Sequence, residues 1–188
     1  MTKKLLEIER KRQLTGNIEE LIGRLQNIGF DLKSNLREID TYYSRPDVDF
    51  MQTVECLRIR QRDSFAEVTY KPATTAATHT ENNVIIKPET NLPIQPKDAA
   101  TAKQLLANLG MMQLVEVNKY RRSFQSSDFP QATVAIDEIK DAGTFVEVEV
   151  LSDDEASALM TISEIEAKLG LESMEIVTRP YRDICMGY

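Results

Sequence analysis

The chain contains two cysteines and one histidine, and this scarcity excludes several chemistries at once. Cys56 and Cys185 have no partner pattern or metal-ligand spacing, and His79 alone cannot complete a zinc site with them. Both cysteines read as ordinary thiols. No apolar run approaches the roughly 18 residues of a membrane span, and the opening MTKKLLEIERK lacks the apolar stretch of a signal peptide. A cytoplasmic protein without a membrane partner is therefore expected. Positive charge is also short: 23 Lys and Arg stand against 30 Asp and Glu, a formal charge of -7. That balance argues against the phosphate backbone of a nucleic acid as the main partner, so any basic function must be local.

What is present fits a globular protein. At 188 residues and 41% hydrophobic content, the chain fits one domain over residues 1–188, or two tightly joined halves, and is long enough to bury a real core. Three stretches carry apolar residues at helical spacing and stop at glycine. The first runs from Thr15, with Ile18, Leu21, Ile22, Leu25 and Ile28 before Gly29. The second runs from Asp98, with Leu105, Leu106 and Leu109 on one side before Gly110. The third follows Ser152, with Leu159, Met160, Ile165 and Leu169 before Gly170. All three read as helices covering a core. Between them lie alternating segments, REIDTYY, CLRIRQR, AEVTYK, NNVIIK, VNKYRRSF, TVAIDEI and TFVEVEVL, which with the first make about eight strands. The order suggests two related halves. Residues Pro72 to Pro96, with four prolines and many threonines, are expected to be the most mobile part of the chain.

Residues two apart in a strand share a face. In LLEIERKRQL, Glu7, Glu9 and Lys11 lie on one side and Leu6 and Ile8 on the other, where Arg10 and Arg12 cut the apolar stripe short. Arg58 and Arg60 alternate with Leu57 and Ile59. Lys71 lies opposite Val68 and Tyr70, Lys119 and Arg121 alternate with Tyr120, Asp137 follows Val134 and Ile136, and Glu147 and Glu149 alternate with Val146, Val148 and Val150. A sheet face turned to water would carry Thr, Ser and Gln among its charges, whereas these positions are almost all long charged side chains of both signs. A plain solvated sheet is one reading. The other is a closed sheet whose lumen is lined by these charges, with the apolar faces turned outward against the helices. Clustered carboxylates then need a cation between them, and hard oxygen ligands suit Mg²⁺ or Mn²⁺. Clustered Arg and Lys need an anion, and a metal-bound polyphosphate meets both demands. Tyr42, Tyr43 and Tyr120 read as packing residues.

The Glu-x-Glu-x-Lys start at Glu7, Glu9 and Lys11 resembles the signature of the CYTH or triphosphate-tunnel superfamily. REIDTYYSRPDVDF, ECLRIRQR, VTYK, NKYRRSF, AIDEIKDAGTFVEVEV and RPYRDICMGY follow in the family's order and look most like the CyaB-type class IV adenylate cyclases. The resemblance covers essentially the whole chain. It implies an α+β fold, an eight-stranded antiparallel β-barrel flanked by helices, and pairing as a homodimer. It implies that Glu7, Glu9, Glu147 and Glu149 bind Mg²⁺ or Mn²⁺, and that Lys11, Arg58, Arg60, Lys71, Lys119, Arg121 and Arg179 bind triphosphate. Glu9, Lys71 and Asp137 are then the candidates for catalysis. The implied reaction is conversion of ATP to cAMP and pyrophosphate. Hydrolysis of inorganic, thiamine or nucleoside triphosphate, or binding without catalysis, stand as alternatives. One departure falls on the fifth strand, where relatives often carry an Arg and a Glu. Here the chain reads HTENN, with Glu81 in the acid's place and His79 either in the arginine's place or a loop residue with no role. A neutral imidazole there would weaken the grip on triphosphate.

Overall fold

The computed structural model of the chain describes residues 6–73 and 89–187. His79, Glu81 and the expected strand NNVIIK lie outside them. Eight strands and four helices follow in the order β1 (Leu6–Gln13), α1 (Ile18–Asn27), β2 (Phe30–Ser44), β3 (Cys56–Gln61), β4 (Ala66–Lys71), β5 (Thr90–Ile94), α2 (Ala99–Asn108), β6 (Met112–Ser126), β7 (Ala132–Ile139), β8 (Gly143–Ser152), α3 (Glu155–Leu169) and α4 (Tyr181–Cys185). The sequence β-α-β-β-β thus occurs twice before the last two helices, and both long strands, β2 and β6, have 15 residues. The strands form one antiparallel sheet in the order β1-β8-β7-β6-β2-β3-β4-β5. β5 falls inside the proline-rich stretch expected to be mobile, yet Thr90–Ile94 pairs with β4. Its Pro93 cannot donate to a ladder and sits in a strand at the end of the sheet order, where a proline is tolerated.

Two compact units divide the chain: Met1–Leu36 with Tyr120–Thr178, and Arg37–Lys119 with Arg179–Tyr188. In the first, Ile8 from β1, Val134 and Ile136 from β7, and Val146, Val148 and Val150 from β8 pack with Leu21 and Leu25 of α1 and Ala158, Ile162, Ile165 and Leu169 of α3. The apolar parity of the strands is therefore what carries the helices. Asn17 caps α1 by accepting from the Glu19 amide at 2.8 Å, and Asp154 caps α3 by accepting from the Ala156 amide at 3.0 Å. The stripe on α3 differs from the expected one. Met160 is exposed, because the inward face is set by residues 158, 162, 165 and 169, whose spacing brings them round to one side. The backbone of residues 175–177 runs along the outer side of β1, with the Gln13 amide donating to the Glu175 carbonyl at 3.1 Å and the Val177 amide to the Lys11 carbonyl at 2.8 Å.

In the second unit Tyr43, Ile59, Ala66 and Ala99 are buried together, with Leu57, Val68, Ile94, Ala102 and Leu106 packed around them. Here α2 turns Ala99, Ala102 and Leu106 inward, so Leu105 and Leu109 are exposed rather than core-facing. Tyr42 and Tyr43 are buried as expected, whereas Tyr120 is exposed and does not pack. No described helix is long and apolar enough to cross a membrane.

Candidate functional site: a carboxylate cluster and a braced cation face

β1 and β8 are paired so that Glu9 faces Glu149 and Lys11 faces Glu147 across the ladder. The alternation that sends Ile8, Val148 and Val150 to the core sends these four to the opposite face. On that face carboxylate oxygens of Glu7, Glu9 and Glu149 all lie within 4.8 Å of one another. Such proximity is costly for anions. Loss of hydration is the largest influence on Glu9, followed by the charges of Glu147 and Glu7, and Lys11 and Arg121 offset it only partly, so its pKa is raised from 4.5 to about 7. Water reaches the Glu9 side chain, yet the surrounding protein strips much of its hydration. Glu149 is raised to about 7 for the same reasons, burial first and then Glu7 and Glu9. Three hard oxygen donors this close together are a donor set suited to a divalent cation such as Mg²⁺ or Mn²⁺.

Beside the cluster, Arg121 on β6 is held in place by two acids. Its Nε and Nη2 donate to Asp137 Oδ1 and Oδ2 at 2.7 and 2.5 Å, and Nη2 also donates to Glu147. Asp137 has no exposed surface and braces Arg121 from within the protein. The opposite face of β1 holds what the sequence left unexplained. Arg12 forms a buried fork with Glu166 of α3, Nε to Oε1 at 2.7 Å and Nη2 to Oε2 at 2.8 Å, and donates from Nη1 to the Met174 carbonyl at 2.6 Å. Arg10 adds a third bond to Glu166 at 2.8 Å. The arginines that interrupt the apolar stripe therefore tie the strand to its covering helix.

The second unit carries the remaining predicted cations. β3 pairs with β2 so that Arg60 faces Asp40 and Arg58 faces Tyr42. Asp40 accepts from Arg60 Nε and Nη2, both at 2.7 Å, and lies 3.7 Å from Arg58 Nη1. Burial alone would raise the Asp40 pKa, but the Arg60 bonds and the charges of Arg60, Arg58 and Lys119 hold it below the usual carboxylate range. Glu38, two residues earlier on the same face, lies 2.9 Å from Lys119 Nζ. Lys119 also sits over the Tyr181 ring, 5.4 Å from its centre. Lys71 pairs with Glu89 at the end of β4, and Arg179 is exposed just before α4. Glu38 and Asp40 were not among the predicted site residues. Their signal was the alternation in REIDTYY, the same design as Glu7 and Glu9. Nor was α4 expected, a five-residue helix anchored by Arg182 Nη1 donating to the Glu55 carbonyl at 2.7 Å.

The CYTH domain family model matches residues 5–181. The chain belongs to the CYTH family. It is 26% identical over 183 residues to a protein of Methanocaldococcus jannaschii named "Putative adenylate cyclase", covering 96% of this chain and 98% of that one. It is 31% identical over 91 residues to adenylate cyclase CyaB of Aeromonas hydrophila, covering 47% of this chain and 46% of that one. Among solved structures, a protein from Pyrococcus horikoshii OT3 superposes with a TM-score of 0.74 at 20% identity, covering 95% of this chain and 99% of that one. The fold of this CYTH chain is thus that of the triphosphate-tunnel proteins.

Proposed function

We propose that this CYTH protein is a divalent-metal-dependent enzyme that converts ATP to cAMP and pyrophosphate. The observation that supports it best is the cluster of Glu7, Glu9 and Glu149, whose oxygens approach within 4.8 Å; two of the three, Glu9 and Glu149, have raised pKa values, as expected of a site short of one cation. The names of the two cyclase relatives favour cyclisation over other triphosphate chemistry.

In this reading Glu7, Glu9, Glu147 and Glu149 hold Mg²⁺ or Mn²⁺. When bound, such an ion supplies Lewis acidity, lowering the pKa of a coordinated hydroxyl and neutralising phosphate charge. Lys11, Arg58, Arg60, Lys71, Lys119, Arg121 and Arg179 contact the triphosphate. Arg121 is oriented for this by Asp137, and Arg60 by Asp40. Each acid takes the Nε edge of its guanidinium and so fixes the plane in which the fork is presented to phosphate oxygens. Lys71 adds a point charge that stabilises the departing pyrophosphate. Glu9 is the acid whose loss should be felt most, because it lies among the other carboxylates and opposite Glu149.

The test is to incubate the protein with ATP and either metal and to resolve cAMP, ADP, pyrophosphate and phosphate, with inorganic and thiamine triphosphate in parallel. cAMP with equimolar pyrophosphate is expected. Phosphate release from any of these substrates without cAMP would replace the cyclase reading with a hydrolase. No product from any, with a raised melting temperature in Mg²⁺ and triphosphate, would leave a binding protein.

A further inference from the structure

Glu38 has no exposed surface, yet it sits among cations proposed to hold phosphate. Its Oε2 lies 2.9 Å from Lys119 Nζ and 3.5 Å from Arg60 Nη2, while Oε1 accepts from Arg62 Nε at 2.5 Å. Asp40, 2% exposed, accepts from Arg60 Nε and from the same Nη2. A substrate cannot touch either acid, so whatever they contribute to its binding passes through the cations they hold, Lys119 and Arg60 among them.

A buried acid in that position has two separable effects. As a brace it fixes the geometry of its cations, and losing it weakens their grip on an anion. As a counter-charge it lets like charges cluster in the empty protein and repels an anion that arrives at the same cations. Magnitudes favour the second effect for ground-state binding. A phosphate accepting from Lys119 would lie about 7 Å from the Glu38 carboxylate. At an effective dielectric constant of about 20, that repulsion weakens binding on the order of tenfold for the nearest phosphate charge, after allowance for salt, and less for charges farther along the chain. A glutamine amide oxygen in the same place still accepts from Lys119, so the brace is weakened rather than lost and its share is smaller.

We propose that Glu38 is a positioning residue acting as a counter-charge: it orients Lys119 and Arg60 toward the phosphate chain and limits how tightly they hold it. The inference rests on the triphosphate reading above. It gives Glu38 a part in turnover, since a cation face without internal acids would retain a polyphosphate product.

Arg62 makes the test possible. It bonds the same carboxylate, is one-third exposed and is not among the phosphate-binding residues. Glu38→Gln and Arg62→Gln therefore break one ion pair from its two ends while shifting local charge in opposite directions. Inorganic triphosphate without metal is titrated calorimetrically into the full chain and each variant at fixed ionic strength, and kcat and KM are measured with metal. Glu38→Gln should bind about tenfold tighter and turn over more slowly, whereas Arg62→Gln should bind about threefold more weakly. The double variant restores local neutrality and should bind within about twofold of the native chain, which keeps the test open should Glu38→Gln alone fail to fold. Weakening in both single variants, or a double variant weaker than Arg62→Gln, would overturn the counter-charge role. No binding by the native chain at millimolar triphosphate would overturn the functional reading itself, and this inference with it.

Discussion

Stability should fall as pH rises from 5 to 8 in the absence of divalent metal, opposite to the trend expected of most paired carboxylates. Glu9 and Glu149 have folded-state values near 7 against about 4.5 when unfolded. Between those limits the folded protein binds more protons than the unfolded chain, so the slope of unfolding free energy with pH is negative. Asp40, shifted downward, contributes stability that is lost only below its unfolded value of 3.8 and is constant in this window. For a group sealed from water, a pKa raised from 4.5 to about 7 corresponds to about 3 kcal/mol. Glu9 is open to water and shares one repulsion with Glu149, so about 1–2 kcal/mol for the pair is the expected loss. For a chain of this size that is roughly 3–6 °C in melting temperature. Thermal melts at pH 5, 6, 7 and 8 with EDTA measure it, and saturating Mg²⁺ should restore stability mainly at the upper end, where the carboxylates are ionised. Glu149→Gln should flatten the metal-free profile. A native profile that is level or rising, or one unchanged by Glu149→Gln, would refute the clustered-carboxylate account.

Three further outcomes follow from particular contacts. Glu9→Gln should keep the fold and reduce metal-dependent turnover at least about tenfold, with unchanged rates removing Glu9 from the metal site. Glu166→Gln should cost about 3 kcal/mol in urea unfolding, since it leaves the buried Arg12 guanidinium without its charge partner; a loss below about 1 kcal/mol would show that the Met174 and Glu172 carbonyls suffice. Gly170→Ala should cost about 1–2 kcal/mol, because residue 170 ends α3 at φ +67° and an added Cβ would lie 3.1 Å from Arg24 Nη1. Equal denaturant midpoints for the glycine and alanine proteins would contradict that strain.

Alternation made the strand faces legible, because period two is read from neighbours alone. It separated Glu7, Glu9, Glu147 and Glu149 from Ile8, Val148 and Val150, and the structure keeps that separation. The helices were less legible. Placing Leu105 and Met160 inward assumes that every leucine or methionine of an amphipathic segment seeks the core, whereas alanines at 99, 102 and 158 take those positions where helix and sheet approach closely. Pairing across distance was invisible altogether. Nothing near Arg12 announces Glu166, and nothing near Arg60 announces that Asp40, 20 residues away, will occupy half of its guanidinium.

The strip formed by residues 175–177 along β1 has a bearing on solubility. An extended segment from another molecule meets no vacant amides or carbonyls where Lys11 and Gln13 already bond to Val177 and Glu175. Over those residues the border of the sheet is closed to strand exchange and fibril seeding. A chain cut after Gly170 would uncover it and invite polymerisation.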